Sequence, residues 1–302
     1  MANDDPLLLR FPTLITQCDI NILDISSERS GSFKGDSPTM ALQGPPKEAN
    51  ILNLFRLNGK VAVVTGGTRG IGWAASQAMA EAGADVAILY TSYPDPQERV
   101  AELEKWGGRC RAYKSDTTQP EQIRETLEKV LQDFGRLDIV IANAGINDHV
   151  KALDYTVEYW KKETDVNFNG SFWTAQAAGR IFRRQGYGNL LFTASISGTI
   201  VNIPQCQAAY NASKAAVIQL AKSLAIEWMG FCRVNTLSPG YIKTDMTMLK
   251  DKEMLEEWDR RMPSKRMADP AELKGGFLYL VSDASSYTTG IDLIIDGGYT
   301  AV

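Results

Sequence analysis

Histidine is almost missing from these 302 residues, since His149 is the single one. A Ser-His-Asp triad or a zinc site built on imidazoles therefore has almost nothing to draw on. Cysteine is scarce too: Cys18, Cys110, Cys206 and Cys232 are scattered and form no C-x-x-C pair. That spacing gives no reason to expect a metal, and it suits a reducing compartment, read here as the cytosol. Charge of one sign is also lacking. Lys+Arg 32 against Asp+Glu 36 leave a net charge of -4, with no basic block or stripe, which disfavours a nucleic-acid partner. Long apolar runs are absent: "VAVVTGG" and "LDIVIANAG" are strand-length, far short of the ~20 residues that a membrane helix needs. Near the start, "LLLRFPTLI" is too short and interrupted for a secretory core, and Asp4, Asp5, Asp19 and Asp24 argue against an Arg-rich transit peptide.

What is present is 44% hydrophobic material in a chain long enough for one large domain. The first 53 residues stand apart, because "SSERSGSFKGDSPTMALQGPPKEAN" is rich in Ser, Gly, Pro and charge and keeps no period. They read as an extension that is poorly structured in part, with Met40 opening a tidier lead into the body at 54–302. From Gly59 the punctuation becomes regular. "KVAVVTG" is apolar and β-branched, and "IGWAASQAMAEAGA" follows at helical spacing with a stop at Gly83. "DVAILY", a polar helix to about Trp106, "CRAYK", a helix opened by Pro120, and "LDIVIANAG" repeat the alternation. A long helix around "YWKKETDVNFNGSFWTAQAAGRIFRRQ", the strand "NLLFTAS", a helix through Tyr210, "RVNTLS" and "IDLIID" complete about seven units. Short continuous apolar strands between helices predict an α/β fold of three layers, a doubly wound parallel sheet of about seven strands in one domain.

Between the first strand and first helix lies "TGGTRGIG", with Gly66, Gly70 and Gly72 at the corner and Thr68, Arg69 and Ile71 among them. A strand-to-helix corner of this kind needs glycine for the tight turn and for close approach of backbone to a pyrophosphate, which then sits on the helix N-terminus. About 20 residues on, where an NAD site holds the ribose with Asp or Glu, stand Thr91 and Ser92, and the next acid, Asp95, is displaced by Pro94. A cation in the turn, Arg69, with two hydroxyls and no carboxylate suits a 2′-phosphate better than a diol. The cofactor expected is NADP(H).

The stretch "QAAYNASKAA" sets Tyr210 and Lys214 four apart among helix formers, hence on one face a turn apart. A cation beside a phenol favours the phenolate, so the tyrosine pKa is expected to fall below its usual value of about 10 and to suit acid/base work.

Together these motifs resemble the short-chain dehydrogenases/reductases. "TGGTRGIG", "ANAG" at 142–145, "VNFNG" at 166–170, "TASISG" at 193–198, "YNASK" at 210–214 and "SPGYIKT" at 238–244 stand in that family's order across roughly 54–302. The extension and the "ANAG", where the family often has two asparagines, depart from its pattern. The resemblance implies a single Rossmann-type reductase domain in which Ser195 hydrogen-bonds the substrate oxygen and Tyr210 transfers the proton. Lys214 would hold the nicotinamide ribose, and Asn167 would anchor a water linking Lys214 to solvent. Asp116 would meet the adenine, Asn143 and Gly145 would floor the cofactor, and Pro239, Ile242 and Thr244 would surround its carboxamide. Ser197, two residues past Ser195, is the competing serine, and His149 is given no catalytic role.

The run from Ser195 to Trp228 is similar to the family's fungal NADP-dependent branch, which acts on sorbose, fructose, mannitol or xylulose and on bulkier ketones. It implies NADPH-dependent ketone reduction, with a ketose/polyol pair first and a bulkier ketone, an isomerase or cyclase, or an NADP(H) sensor as alternatives. A substrate lid is expected at about 241–266, and a homodimer or homotetramer in the cytoplasm. Methionines and Trp258 in that lid read as packing, while Asn147, Asp148, Asn202 and Gln205 are the candidate polar groups for a polyol.

Overall fold

The computed structural model describes Gly44 and residues 50–302; the expectation for residues 1–43 and 45–49 lies outside the described residues. The elements run α1 (Ile51–Leu54), β1 (Val61–Thr65), α2 (Gly70–Glu81), β2 (Asp85–Tyr90), α3 (Pro96–Glu104), β3 (Cys110–Lys114), α4 (Pro120–Phe134) and β4 (Ile139–Ala142). They continue α5 (Val157–Thr164), α6 (Gly170–Gln185), β5 (Asn189–Thr193), α7 (Ala208–Glu227), β6 (Arg233–Pro239), α8 (Asp245–Met248), α9 (Lys252–Arg261), α10 (Lys274–Val281) and β7 (Asp292–Ile295).

The seven strands form one parallel sheet in the order β3-β2-β1-β4-β5-β6-β7. Because side chains alternate along a strand, Val61 and Val63 of β1 face one helix layer while Ala62 and Val64 face the other. On the first face Ile123, Leu127 and Val130 of α4, Ala178 and Ile181 of α6, and Val217 and Ala221 of α7 close the core. On the second, Ala75 and Met79 of α2, Leu103 of α3 and Phe277 of α10 do the same. Strands buried on both faces explain why the sequence shows apolar runs here and no alternation. α3 and α4 begin with proline at the first turn, where its missing N–H costs nothing. α4 stops at Gly135, whose φ of 85° lies in the left-handed region that glycine reaches freely.

The chain turns from β1 outward to β2 and β3, then returns to β4 on the other side of β1. The strand order therefore reverses between β1 and β4. In open parallel sheets this switch point, beyond the strands' C-terminal ends, is where a ligand has room. The single long helix expected from Tyr159 to Gln185 is interrupted: residues Asp165–Asn169 form a π turn between α5 and α6. One extra residue per turn there re-aims Asn167, and such bulges recur at functional positions.

Candidate active site

β1 ends at Thr65, whose hydroxyl accepts the backbone N–H of Asn143 (2.9 Å) and of Ala144 (3.0 Å), while Asn143 Nδ2 donates to the Thr65 carbonyl (3.0 Å). These bonds clamp the ends of β1 and β4 together at the switch point. Gly66 and Gly70 then take φ of 63° and 53°, a region costly for side-chain-bearing residues. A Cβ on Gly72 would stand 2.2 Å from the Gly66 carbonyl oxygen and 2.4 Å from Asn143 Nδ2. Only glycine lets the start of α2 press onto the turn. Arg69 caps α2 with its backbone and makes no side-chain cap bond, and no acid lies in the first turn. The N–H groups there are left for an anion, with the helix dipole behind them. The corner fits a pyrophosphate.

Beyond β2, Thr91, Ser92 and Arg69 are exposed. Asp95 caps α3 by accepting the Gln97 N–H, so the nearest carboxylate is committed elsewhere. Asp116 sits past the end of β3 in its own turn, Oδ1 accepting the Thr118 N–H (2.9 Å) and hydroxyl (2.8 Å). Sequence reasoning missed Arg99. From α3 its Nε donates to the Thr68 carbonyl at 3.2 Å, and its guanidinium lies 4.6 Å from the Trp73 ring centroid and 5.6 Å from that of Tyr93. A second guanidinium thus braces the glycine turn by a contact spanning 31 positions, beyond any local pattern.

At the ends of β4 and β5 the four residues singled out for catalysis gather. Asn167 is fully buried in the π turn, its Oδ1 accepting the Ile146 N–H (2.8 Å) and its Nδ2 donating to the Ile146 carbonyl (2.9 Å). Both side-chain ends hold the loop after β4, leaving the Asn167 backbone carbonyl to accept the Ser171 hydroxyl (2.7 Å). Lys214 is buried, and its Nζ donates to the Thr193 carbonyl at 2.8 Å while lying 5.6 Å from the Tyr210 ring centroid. Ser195 stands close enough to the Tyr210 phenol to pull its pKa down, and its Oγ accepts the Ser197 N–H at 3.1 Å. Ser197 donates to Asn202 Oδ1 and accepts from Gln207 Nε2. The two serines are therefore joined: Ser195 Oγ donates to Ser197 Oγ at 3.1 Å, which links the residue beside the phenol to this polar network.

The expected fall in the Tyr210 pKa is not what this pocket produces. Burial pushes the phenol up to about 12, with Ser195 pulling it back and Glu163 pushing further. Lys214 is drawn down to about 8 by its own burial. The i,i+4 spacing does bring the pair together, but the ammonium aims at a carbonyl rather than at the hydroxyl, and desolvation dominates both groups.

At the start of α7, joined to Ser195 through Ser197, lies a network of polar side chains. Asn147 Nδ2 donates to Gln207 Oε1 (3.0 Å) and Gln207 Nε2 to Asn211 Oδ1 (2.9 Å). The Tyr241 hydroxyl accepts from Asn202 Nδ2 (3.1 Å) and Gln205 Nε2 (3.0 Å), and the Trp258 indole donates to Gln205 Oε1 (2.9 Å). Of the four polar candidates, Asn147, Asn202 and Gln205 join this network while Asp148 is exposed. The 241–266 segment splits in character. Trp258 and Met262 are buried with Tyr241, whereas Met246, Met248 and Leu249 are exposed. His149 stands edge-on to Trp258, its pKa lowered to about 4 by burial and by Lys250. A neutral imidazole there has no proton to offer near neutral pH. Pro239 and Ile242 are buried at the end of β6, and Thr244 reaches the glycine corner, 3.3 Å from where a Gly70 Cβ would stand. Gly145 lies against Asn167 Oδ1 and Lys214 Nζ.

A pyrophosphate corner and a Ser-Tyr-Lys cluster, its serine and lysine buried, at neighbouring strand ends define a nicotinamide-dependent oxidoreductase as the class. The chain belongs to the short-chain dehydrogenase/reductase family, matching the enoyl-(acyl carrier protein) reductase family model over residues 66–300. It is 47% identical to a probable NADP-dependent mannitol dehydrogenase of Yarrowia lipolytica, over 84% of this chain and 92% of that one. It is likewise 47% identical to a sorbose reductase of Candida albicans, over 88% and 95%. Among solved structures, the NADPH-dependent 3-quinuclidinone reductase of Rhodotorula rubra is 44% identical and superimposes with a TM-score of 0.82, covering 90% of this chain and 100% of that one.

Proposed function

We propose that this protein is a cytosolic NADP(H)-dependent carbonyl reductase that interconverts a ketose and its polyol. The observation that carries it is the convergence of Ser195, Tyr210, Lys214 and Asn167 at the strand ends by the glycine corner, with Ser195 tied through Ser197 to a network of amide and hydroxyl groups. When bound, the dinucleotide supplies a hydride to the carbonyl carbon. Everything else falls to the chain. The N-terminus of α2 and the glycines hold the pyrophosphate, and Arg69, Thr91 and Ser92 meet the 2′-phosphate. Asp116 would meet the adenine, and Asn143, Gly145, Pro239, Ile242 and Thr244 would bound the nicotinamide end. Thr68 and Ile71 complete the cradle.

Ser195 and Tyr210 are donors placed where negative charge develops on the carbonyl oxygen, and because they are fixed before the reaction they need no reorganisation. A phenol near 12 is a group that keeps its proton until the alkoxide, more basic still, takes it. Lys214 holds the ribose and supplies the positive charge that accompanies that transfer, and Asn167 keeps the loop and the π turn in register behind it. Most of the amides of Asn147, Asn202, Gln205 and Gln207 bond one another, but Asn147 Oδ1 has no partner among the described residues, and this acceptor is one that a substrate hydroxyl would meet and an apolar ketone would not. The likeness to mannitol, sorbose and xylulose enzymes supports that choice.

A second reading, reduction of a bulkier ketone, is favoured by the likeness to the quinuclidinone reductase. One panel tests both: NADPH consumption followed by absorbance with fructose, sorbose, xylulose and 3-quinuclidinone. Turnover of a ketose at a kcat/KM at least tenfold above the bicyclic ketone is expected. The reverse order would replace the first reading with the second, and no NADPH consumption with any of them would argue for a non-redox role.

A further inference from the structure

Glu163 is a carboxyl that the reaction above leaves unused. It lies on α5, one turn before Asn167, and is 1% exposed. Its Oε2 accepts the Tyr155 hydroxyl at 3.1 Å, while Oε1 is buried with no hydrogen-bond partner among the described residues. The Asp148 backbone N–H also approaches it. Burying a carboxylate with half its acceptor capacity unmet costs more than packing an aliphatic chain in the same volume. Stability alone is therefore a poor reason for this residue.

Its neighbours supply another. α5 packs against α7, the helix that carries Tyr210. The Tyr155 hydroxyl, held by Glu163, also lies near the backbone N–H of Ala209, the residue just before Tyr210, which pulls its pKa down. Glu163, Tyr155, Ala209 and Tyr210 thus form a connected line from the interior of α5 to the proton donor. The negative charge of Glu163 reaches the phenol as well, adding to burial in keeping it protonated.

We propose that Glu163 is a positioning residue for Tyr210: a buried anion, tied through the Tyr155 hydroxyl to the first turn of α7, that seats the phenol and holds its proton in place. The proposal rests on the reading of Tyr210 as proton donor. The groups that act on the carboxyl are Tyr155, from the segment before α5, and Asp148, from the loop after β4. It acts in turn on Tyr159 of α5 and Tyr210 of α7. None of these four is a cation; the cation beside Tyr210 is Lys214, whose Nζ lies 5.6 Å from the ring centroid and which all the variants below retain. An anion raises the pKa of a neighbouring phenol and of a neighbouring amine alike. Removing it must therefore lower the pH at which the Tyr210–Lys214 pair releases protons, whichever group leads.

The test is the pH profile of mannitol oxidation by the full chain with NADP+, in the unsubstituted protein, Glu163→Gln and Glu163→Asp. In Glu163→Gln the midpoint of the acidic limb should move down by about one pH unit, the size of a single charge acting through partly shielded protein. Glu163→Asp, which keeps the charge, should leave it in place, and NADP+ affinity should be the same in all three. Since a glutamine amide would itself lack partners, Glu163→Met provides a second neutral variant that fills the volume. If mannitol is not turned over, the same shift is read in the NADP+ complex from tyrosinate absorbance, as the difference between each variant and its Tyr210→Phe double. An unmoved midpoint in both neutral variants, or an equal shift in Glu163→Asp, overturns the proposal. Tyr210→Phe on the same assay separates the two levels. An inactive Tyr210→Phe with an unmoved Glu163→Gln midpoint sinks this proposal alone, while an active Tyr210→Phe removes the proton-donor reading and the proposal with it.

Discussion

At the scale of single residues, burial governs the chemistry of the site more than pairwise charge does. Tyr210 is pushed up to about 12 and Lys214 down to about 8, so each group is biased toward its neutral form. For Lys214 the consequence for stability has a definite sign. An unfolded lysine titrates at its ordinary value of 10.5, against about 8 in the folded protein. Between those values the unfolded chain binds more protons, so stability rises with pH across the window, and below about 8 the buried ammonium costs up to about 3 kcal/mol. Denaturant melts of Lys214→Met against the unsubstituted protein should therefore show a difference that moves by up to about 3 kcal/mol against the mutant as pH climbs from about 8 to 10.5. A difference flat with pH would mean that Lys214 is not desolvated. Tyr210→Phe removes one hydroxyl and little packing. It should lower kcat by about 10²- to 10⁴-fold, the usual worth of a placed acid, with NADPH affinity nearly unchanged by titration calorimetry; more than a tenth of the activity remaining would refute the role. Arg69 is exposed at the corner, and a hydrogen bond to a charged group contributes about 1.5–3 kcal/mol, roughly ten- to a hundredfold in affinity. Arg69→Ala should weaken NADPH by that order and spare NADH; equal loss of both cofactors would make Arg99, stacked on Trp73, the better candidate.

At the scale of elements, the glycine corner and the segment around Trp258 make opposite demands on the chain. Gly72 has no room for even a methyl group, since the atoms that would meet it are the Gly66 backbone and a clamped Asn143 amide. Gly72→Ala should cost at least tenfold in dinucleotide affinity, measured by fluorescence quenching, because the turn must open to accept it. The α9 helix is instead held by few polar bonds. Gln205 joins Trp258 and Tyr241 at once, and Gln205→Leu leaves the indole and the hydroxyl each short of a partner. Faster amide exchange confined to residues 245–262 is expected; unchanged exchange there would show that apolar packing alone holds the segment. The seven strands, the proline start of α4 and the Tyr210 helix were all legible, because each rests on spacing within a dozen residues. The π turn was not, since it is decided by Asn167 bridging to Ile146, 21 positions away. Arg99 and Glu163 were invisible for the same reason. Each is an ordinary charged helix residue until the sheet brings Thr68 or the start of α7 beside it. The lysine's effect on the phenol was misjudged because helical spacing conveys proximity but neither the direction of the ammonium nor the degree of burial.

At the scale of the whole molecule, large apolar side chains remain exposed on the described surface, among them Leu153, Val157 and Trp160 near α5 and Ile226 at the end of α7. Several such residues on neighbouring elements suit burial between copies of the chain. Light scattering at micromolar concentration should report a dimer or tetramer, and a monomer would refute it. The last prediction concerns the N-terminal extension. From Ser26 to Thr39 the extension runs through Ser, Gly, Pro and charge with no sustained hydrophobic period. The family match begins only at residue 66 and the mannitol dehydrogenase relative aligns over 84% of this chain, so the catalytic body has its counterpart without it. A chain starting at Met40 should therefore fold with a melting temperature within a few degrees of the full chain and keep its kcat. The decisive comparison is made on both proteins at equal concentration, by thermal melt, NADPH consumption and light scattering together. A lower melting temperature with unchanged oligomeric state would mean that the extension packs on its own body. Loss of the oligomer would place it between subunits, and either result would move the start of the working domain back toward Met1.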